Sequence, residues 1–413
     1  GVTNQYPHDQ LTYAWKTLLQ NHPHDSICGC SVDAVHREMM TRFEKAYDVG
    51  NFIAEDALVE LSKAITFEGE HPFVVFNTAS YSKTGEVEVE VVLERKFFKD
   101  GRPDQLYDHL QTRPQCQYKV VDRNGCEIPA MISDEEVLFD YDLPKDRFRI
   151  PYMKRFVKVT LFLKDMPAFS WDTYDLVRAD TASYQKESMI FDRIIENEYI
   201  QLKVQENGSL RLLFLYSITF SFLSQKVFHG LLVFEETGDI GNEYIYFQPT
   251  GTKPILSTDL PTTFSVVIDR PELAKVRLEQ VMMVPESADA LLEEEQKKVL
   301  EFRNRKAGRS EKMIPMKVTT FITVRQYSKK IDFETYVDNQ AKDHRLRVLF
   351  PTGMKVATHE ADSIYEVVTR PNVVPKTWEN PTNPQHQQAF VNLRNVQYGL
   401  TVGNFGLNEY EIL

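Results

Sequence analysis

The apolar residues of this chain change their spacing once, near Gly69, and that change decides what each side of it can fold into. Before it, Leu11, Ala14, Trp15, Leu18 and Leu19 fall at i, i+3, i+4, i+7 and i+8, one face of a helix. Asp9 is the expected N-cap, and Pro23 stops the pattern because the residue before a proline is pushed out of the helical region. Ser31 is the expected cap of a second helix. Its stripe runs through Val32, Val35, Met39, Phe43, Ala46, Phe52, Ile53, Ala57, Leu58, Leu61 and Ile65, a span of about 50 Å at 1.5 Å per residue. Such a stripe predicts bundle core.

Beyond Gly69 the period becomes two. Val87, Val89 and Val91 alternate with glutamates, as a half-buried strand requires. Short runs continue at 73–76, 118–121 and 156–163, with Arg123-Asn124-Gly125 as a turn. Residues 107–113 read as loop. From Ile195 a second β-rich region begins, with Glu206-Asn207-Gly208-Ser209 as a hairpin turn. Residues 286–312 interrupt it. There Glu293 with Lys297, and Glu294 with Lys298, are i,i+4 pairs in the favoured order, which predicts an exposed helix whose charges form a solvated face. The apolar run 212–223 is too short to span a membrane and reads either as a buried strand pair or as an aggregation-prone edge. The chain is therefore expected to be mainly β with an N-terminal helical segment: a helix-bundle portion over 1–66, a small β-sandwich over 67–188 and a large β-sandwich over 189–413.

At 413 residues about two or three domains are expected. A formal net charge of -12 argues against nucleic acid or an anionic membrane as partner. No apolar run of about 18 residues and no leader pattern occurs, so the chain reads as soluble and unexported. Its four cysteines, Cys28, Cys30, Cys116 and Cys126, are too few for a disulfide framework and lack the surroundings of a nucleophile. They are expected to be free thiols in a reducing cytoplasm.

The chemistry gathers at Asn21-His22-Pro23-His24-Asp25-Ser26-Ile27-Cys28-Gly29-Cys30. Neutral imidazole is a common zinc ligand, and a carboxylate binds metal or accepts hydroxyl protons. On spacing alone an H-x-H-D run is more often a polar connection between helices. The wording around it adds to this. Tyr13-Ala14-Trp15-Lys16 leads in and Val35-His36-Arg37-Glu38-Met39 follows. The whole resembles the bacterial α-mannosidases of glycoside hydrolase family 38. Three later phrases, 234–246, 338–351 and 394–411, extend the resemblance over nearly the whole chain.

The resemblance implies that His24 is a zinc ligand and Asp25 a contact to substrate hydroxyls. It implies a sugar-contacting tyrosine, Tyr244, with Tyr246 next in line, since a tyrosine offers a pyranose both an apolar face and a hydroxyl. It implies that the large β-sandwich is galactose-mutarotase-like. It places the nucleophile, the acid/base and the remaining zinc ligands on an N-terminal α/β barrel, so no catalytic residue is expected in this chain. The chain looks cut from something longer at its start, and is expected to stop inside its last β-domain. By this reading it is inactive alone, and its partners are a mannose-containing oligosaccharide or mannoside and that barrel. A homodimer stays open.

Asp239 and Glu243 offer an acid/base pair by type, although a polar loop is the commoner use of such acids. Asp343-His344 is expected to serve structure through Arg345 or Arg347. His22, as part of H-x-H, is second to His24. Two other readings remain. One is a non-catalytic carbohydrate-binding or assembly module, which 12% aromatics and β-sandwiches permit. The other is a relative that cleaves mannosylglycerate or a phosphorylated mannoside, for which a basic pocket would be needed. The zinc reading requires that His24 and Asp25 lie open to a neighbour and not inside an apolar core.

Overall fold

The computed structural model describes residues 6–144, 146–179, 188–215, 227–242, 244–373 and 384–413. The chain is mainly β with helices gathered at its N-terminal end. It forms two compact units, Gly1–Ser183 and Tyr184–Leu413.

In the first unit, helices α1 (His8–Leu19), α2 (His24–Ile27) and α3 (Asp33–Ser62) come before any strand. Helix α1 is entered from Pro7, not capped by Asp9. Asp9 lies in the first turn instead, where its charge meets the positive end of the helix dipole. Helix α3 follows an extended Val32 with no side-chain cap. Ser31 faces Ser26 across 3.5 Å. At 30 residues α3 is about 45 Å long.

The two long helices meet through buried Thr17, Asn21 and Met39. Asn21 Nδ2 donates to the Met39 carbonyl at 2.9 Å, and Arg42 donates to Asn21 Oδ1 at 3.4 Å. The expected bundle core is not closed, however. Trp15, Tyr47, Phe52 and Leu61 remain about half exposed or more, because two helices can cover only one flank of each other and a bundle needs further layers.

Two antiparallel sheets pack face to face below. One has the order Pro72–Asn77, Ser170–Ala179, Gln117–Asp122, Glu127–Ile128. The other centres on the long strand Ile150–Met166, flanked by Lys83–Phe97 on one side and by Ala130–Ile132 and Glu136–Asp142 on the other. Val75, Val120 and Leu176 from the first sheet meet Val91, Val157, Val159 and Leu161 from the second in one core.

Residues 107–113, expected as loop, belong mostly to α4 (Pro103–Gln111). Pro103 stands in its first turn, where a missing N–H costs nothing, and Leu106 and Leu110 bury one side. Buried Arg155 closes its far end, donating to the carbonyls of Leu110 at 2.7 Å, Arg113 at 3.1 Å and Pro114 at 2.8 Å while pairing with buried Glu135.

The second unit is built on two larger antiparallel sheets. One orders Val227–Leu231, Leu210–Phe214, Ile200–Val204, Ile194–Glu196, Ile190–Phe191. The other orders Thr263–Asp269, Leu273–Pro285, Met313–Arg325, Ile331–Asp338. Ile200, Leu202, Leu210, Phe228, Val276, Met282, Met316 and Ile322 from both sheets form its core. The 206–209 turn is a hairpin, with Gly208 at φ +79° and Asn207 Oδ1 accepting from Ser209. Of the apolar run 212–223, the first residues complete a strand that pairs with Val227–Leu231, and residues 216–223 lie outside the described residues.

Smaller sheets complete the unit. Val233–Gly238 lies between Ile255–Leu256 and His344–Leu349. Thr358–Ser363 lies between Glu366–Pro371 and Phe390–Arg394. The 286–312 segment is helical over α5 (Ala290–Lys297) and one further short turn, Phe302–Asn304. Glu293 and Lys297 do pair, at 2.8 Å. The charge run is not simply a solvated face, because Glu295 is buried. Its carboxylate accepts the main-chain N–H groups of Lys306 at 2.7 Å and Ala307 at 3.2 Å, donors that burial would otherwise leave unpaired.

Candidate functional site

Pro23, at φ -50° and ψ 139°, turns the chain out of α1 and into the single turn of α2. Gly29, at φ +81°, takes the left-handed conformation that glycine adopts without cost. The Cys30 N–H then returns to the Asp25 carbonyl at 3.0 Å. This tight loop presents His24 and Asp25 together. His24 Nε2 lies 3.1 Å from Asp25 Oδ1, and the two side chains are 91% and 66% exposed. The Cys30 thiol points at the same residue, 3.5 Å from the Asp25 carbonyl and 3.8 Å from Oδ1. Its pKa is raised by lost hydration first and by the Asp25 charge second, so it stays a thiol and a donor. All four cysteines are free.

Tested as a metal site, the loop offers one imidazole and one carboxylate. Among the described residues no group of three or more His, Cys, Asp or Glu side chains is placed to hold a metal. A catalytic zinc takes typically about three protein ligands, so the described donors do not fit zinc by themselves.

The second expected element, Tyr244, lies in the second unit and is 80% exposed. It rides on a turn shaped from below. Asp239 Oδ1 accepts from Gly241 N at 2.8 Å and Phe247 N at 3.1 Å, and Asn242 Oδ1 accepts from Tyr244 N at 2.9 Å and Ile245 N at 2.8 Å. Asp239 is thus spent on folding its own turn and not on acid/base work. Glu243 lies outside the described residues. Tyr246 is held inward: its hydroxyl donates to Thr237 Oγ1 at 2.9 Å, and the Arg345 guanidinium lies 3.5 Å from its ring centre.

Asp343 and His344 are structural, but with other partners than expected. The Asp343 carboxylate accepts from Ala288 N at 3.1 Å. His344 Nδ1 stands 3.2 Å from Glu236, close but not aligned as a hydrogen bond, and its Nε2 is 3.1 Å from Asn339 Oδ1. Strand alternation explains the change of partner. Glu235 and Thr237 share one face with Arg345 and Arg347, where Arg347 pairs with Glu235 and Glu411. Glu236 and His344 share the other face, where Arg309 grips Glu236 with two nitrogens.

This Glu236, Arg309 and His344 group is buried and was not expected from the sequence. Adjacent glutamates on a strand give no sign of which one faces inward, and Arg309 comes from the distant insertion. A polar recess of about 710 Å³ lies beside it, lined by Ser287, Asp289, Arg309, Ser310, Lys342 and Asp343. Asp289, Glu293, Glu311 and Asp343 line it against two bases, and one of those, Arg309, is already held by Glu236, so it is not the basic pocket a phosphorylated sugar would need. An apolar groove of about 440 Å³ lies between α1 and α3, lined by Tyr13, Val49 and Phe52.

Comparison with known proteins gives three family matches along the chain. Residues 2–61 match the alpha mannosidase middle domain. Residues 68–178 match the glycosyl hydrolases family 38 C-terminal domain 1. Residues 195–411 match the glycosyl hydrolases family 38 C-terminal domain. A protein of Halalkalibacterium halodurans named "Putative mannosylglycerate hydrolase" is 35% identical over 422 residues, covering 100% of this chain and 46% of that protein. The crystal structure of an alpha-mannosidase from Enterococcus faecalis V583 matches with a TM-score of 0.92 and 51% identity, over 100% of this chain and 46% of that one. A second Enterococcus faecalis structure, of a protein in glycosyl hydrolase family 38, matches with a TM-score of 0.89 and 49% identity, over 100% of this chain and 48% of that one. The chain thus spans about half the length of these relatives. With more than half of its residues matched to one description of the family, this chain belongs to glycoside hydrolase family 38.

Proposed function

We propose that the chain is the helical and β-rich part of a zinc-dependent retaining α-mannosidase. The observation that carries this is the exposed His24 and Asp25 pair, held 3.1 Å apart at the mouth of a one-turn helix in a chain of this family. In the longer protein His24 would supply one zinc ligand, with the other ligands on the N-terminal barrel. The metal would hold adjacent sugar hydroxyls. Asp25 would accept hydrogen bonds from mannose hydroxyls, and Tyr244 would contribute a ring face and a hydroxyl. Such contacts accelerate cleavage only if they strengthen as the sugar approaches its oxocarbenium-like state. The nucleophile and acid/base, about 5 Å apart in retaining enzymes, would also come from the barrel. The free thiols support a cytoplasmic location.

Hydrolysis of an aryl α-mannoside tests the reading. The full-length protein should turn over and residues 1–413 alone should not. Robust turnover by the isolated chain, insensitive to His24→Ala, would defeat it. A full-length protein inert toward every mannoside would favour a carbohydrate-binding module. A second reading, cleavage of mannosylglycerate, is favoured by the name of the Halalkalibacterium relative. A higher kcat/KM on mannosylglycerate than on mannosyl-mannose would select it.

A further inference from the structure

The 286–312 insertion looks like surface decoration in the sequence, yet besides holding Glu236 and Asp343 its inner side packs on one turn. Ile240, at the base of the Tyr244 turn, is 2% exposed and packs with Ala288, Leu292 and Ala307 of the insertion, with Phe247 against them. The Phe247 ring meets Phe302 edge-on at 5.5 Å. Arg305 reaches under the turn, where its Nη1 donates to the carbonyl of Ile240 at 2.8 Å and to that of Gly241, while its Nε donates to the Leu300 carbonyl of its own segment at 3.2 Å. The insertion is itself rigidly held. Glu295 ties down Lys306 and Ala307, and Asp289 caps α5 and accepts from Gly308 N at 2.8 Å.

Main-chain hydrogen bonds close the turn. Ile240 N donates to the Phe247 carbonyl at 2.8 Å, and Asn242 N to the Ile245 carbonyl at 3.0 Å. A Cβ at Gly241 would lie 1.8 Å from the Ile245 carbonyl oxygen. The exposed Tyr244 therefore stands on a braced platform, unlike a side chain on a free loop.

We infer that the 286–312 segment braces this platform, and that Arg305 is a positioning residue for substrate binding that acts through Tyr244. The inference rests on the reading of Tyr244 as a sugar contact. Its physical logic is pre-organisation: a contact group already held in its bound geometry loses less freedom when the ligand arrives. A guanidinium suits the task because one planar group can bond two successive carbonyls of a turn.

A double-mutant cycle in the full-length protein tests it, using kcat and KM on an aryl α-mannoside for Arg305→Met, Tyr244→Ala and the double variant. The expected result is a loss of about tenfold in kcat/KM for each single variant and no further loss in the double one. Arg305→Lys should recover part of the loss. Hydrogen exchange at Gly241, Ile245 and Phe247 should speed up in Arg305→Met, while strand Met313–Arg325 is unchanged. Losses that simply multiply in the double variant would overturn the inference, as would an Arg305→Met protein with unchanged exchange and unchanged kcat/KM. If Tyr244→Ala alone changes nothing, the sugar-contact reading is what fails, and the role of Arg305 in binding falls with it. Should Arg305→Met not fold, Phe302→Leu loosens only the ring contact to Phe247. The same cycle run with that variant supports the inference if the double loss equals the single ones and overturns it if the losses multiply.

Discussion

Glu236 is a carboxylate that the second unit holds entirely out of reach of water. Burial works against its ionisation, but the nearby His344 ring and the Arg309 guanidinium that grips it outweigh burial and hold its pKa below the usual 4.5. A carboxylate whose pKa is depressed on folding favours the folded state above the ordinary range, and that share is lost as pH falls through the folded value. The melting temperature of the second unit should therefore drop on acidification below pH 4.5, and more steeply than in Glu236→Gln. The variant should already be less stable at neutral pH, by about 3 kcal/mol, because it leaves Arg309 buried without its counter-charge. Parallel acid slopes for the two proteins would contradict this. Gly241 allows a second prediction. Its Cβ has no room, so Gly241→Ala should open the Tyr244 turn, seen as faster amide exchange at Ile245 and Phe247. The two residues differ in legibility. A Gly-Asn pair such as Gly241-Asn242 carries a general turn signal, although no turn is among the sequence expectations for that position, whereas nothing in Glu235-Glu236 says which carboxylate is buried.

Among the elements, periodicity finds α1 and α3 because long amphipathic stripes are the clearest signal a sequence carries. It fails where structure is decided from a distance. Helix α4 shows one apolar pair, Leu106 and Leu110, too few to set a period, and its end is closed by Arg155, 45 residues further along the chain. Arg155→Met should cost about 3 kcal/mol, since it strands Glu135 and three carbonyls in the interior. The check is urea unfolding, with amide exchange in Pro103–Gln111 rising first. Asp9 and Ser31 fail as caps for a related reason. A suitable residue type within two positions of a helix start does not guarantee the entry geometry, and Pro7 and Val32 hold the cap places. In the insertion the outer charges dominate the sequence pattern, while Glu295 and Arg305 face inward.

At the scale of the whole molecule, the open question raised by the fold is the apolar flank of α1 and α3. Trp15, Tyr47, Phe52 and Leu61 are exposed, and relatives of this chain carry about as much polypeptide again. Trp15→Ser should cost residues 1–413 no more than about 0.5 kcal/mol, as exposed substitutions do, and the full-length protein distinctly more if that flank is covered there. Paired thermal melts decide between these outcomes. The His24 and Asp25 pair is legible because its residues are consecutive and its turn is local. What would complete a metal site around it is not, because side chains that a fold gathers from distant positions leave no local pattern. The most direct test is the zinc-dependent hydrolysis of an aryl α-mannoside by the full-length protein, with and without His24→Ala. If His24 holds the metal, the loss should exceed the roughly 100-fold that outer-shell partners cost, with bound zinc lost in parallel. A His24→Ala enzyme that keeps its zinc and works within about twofold of the unaltered protein would contradict it.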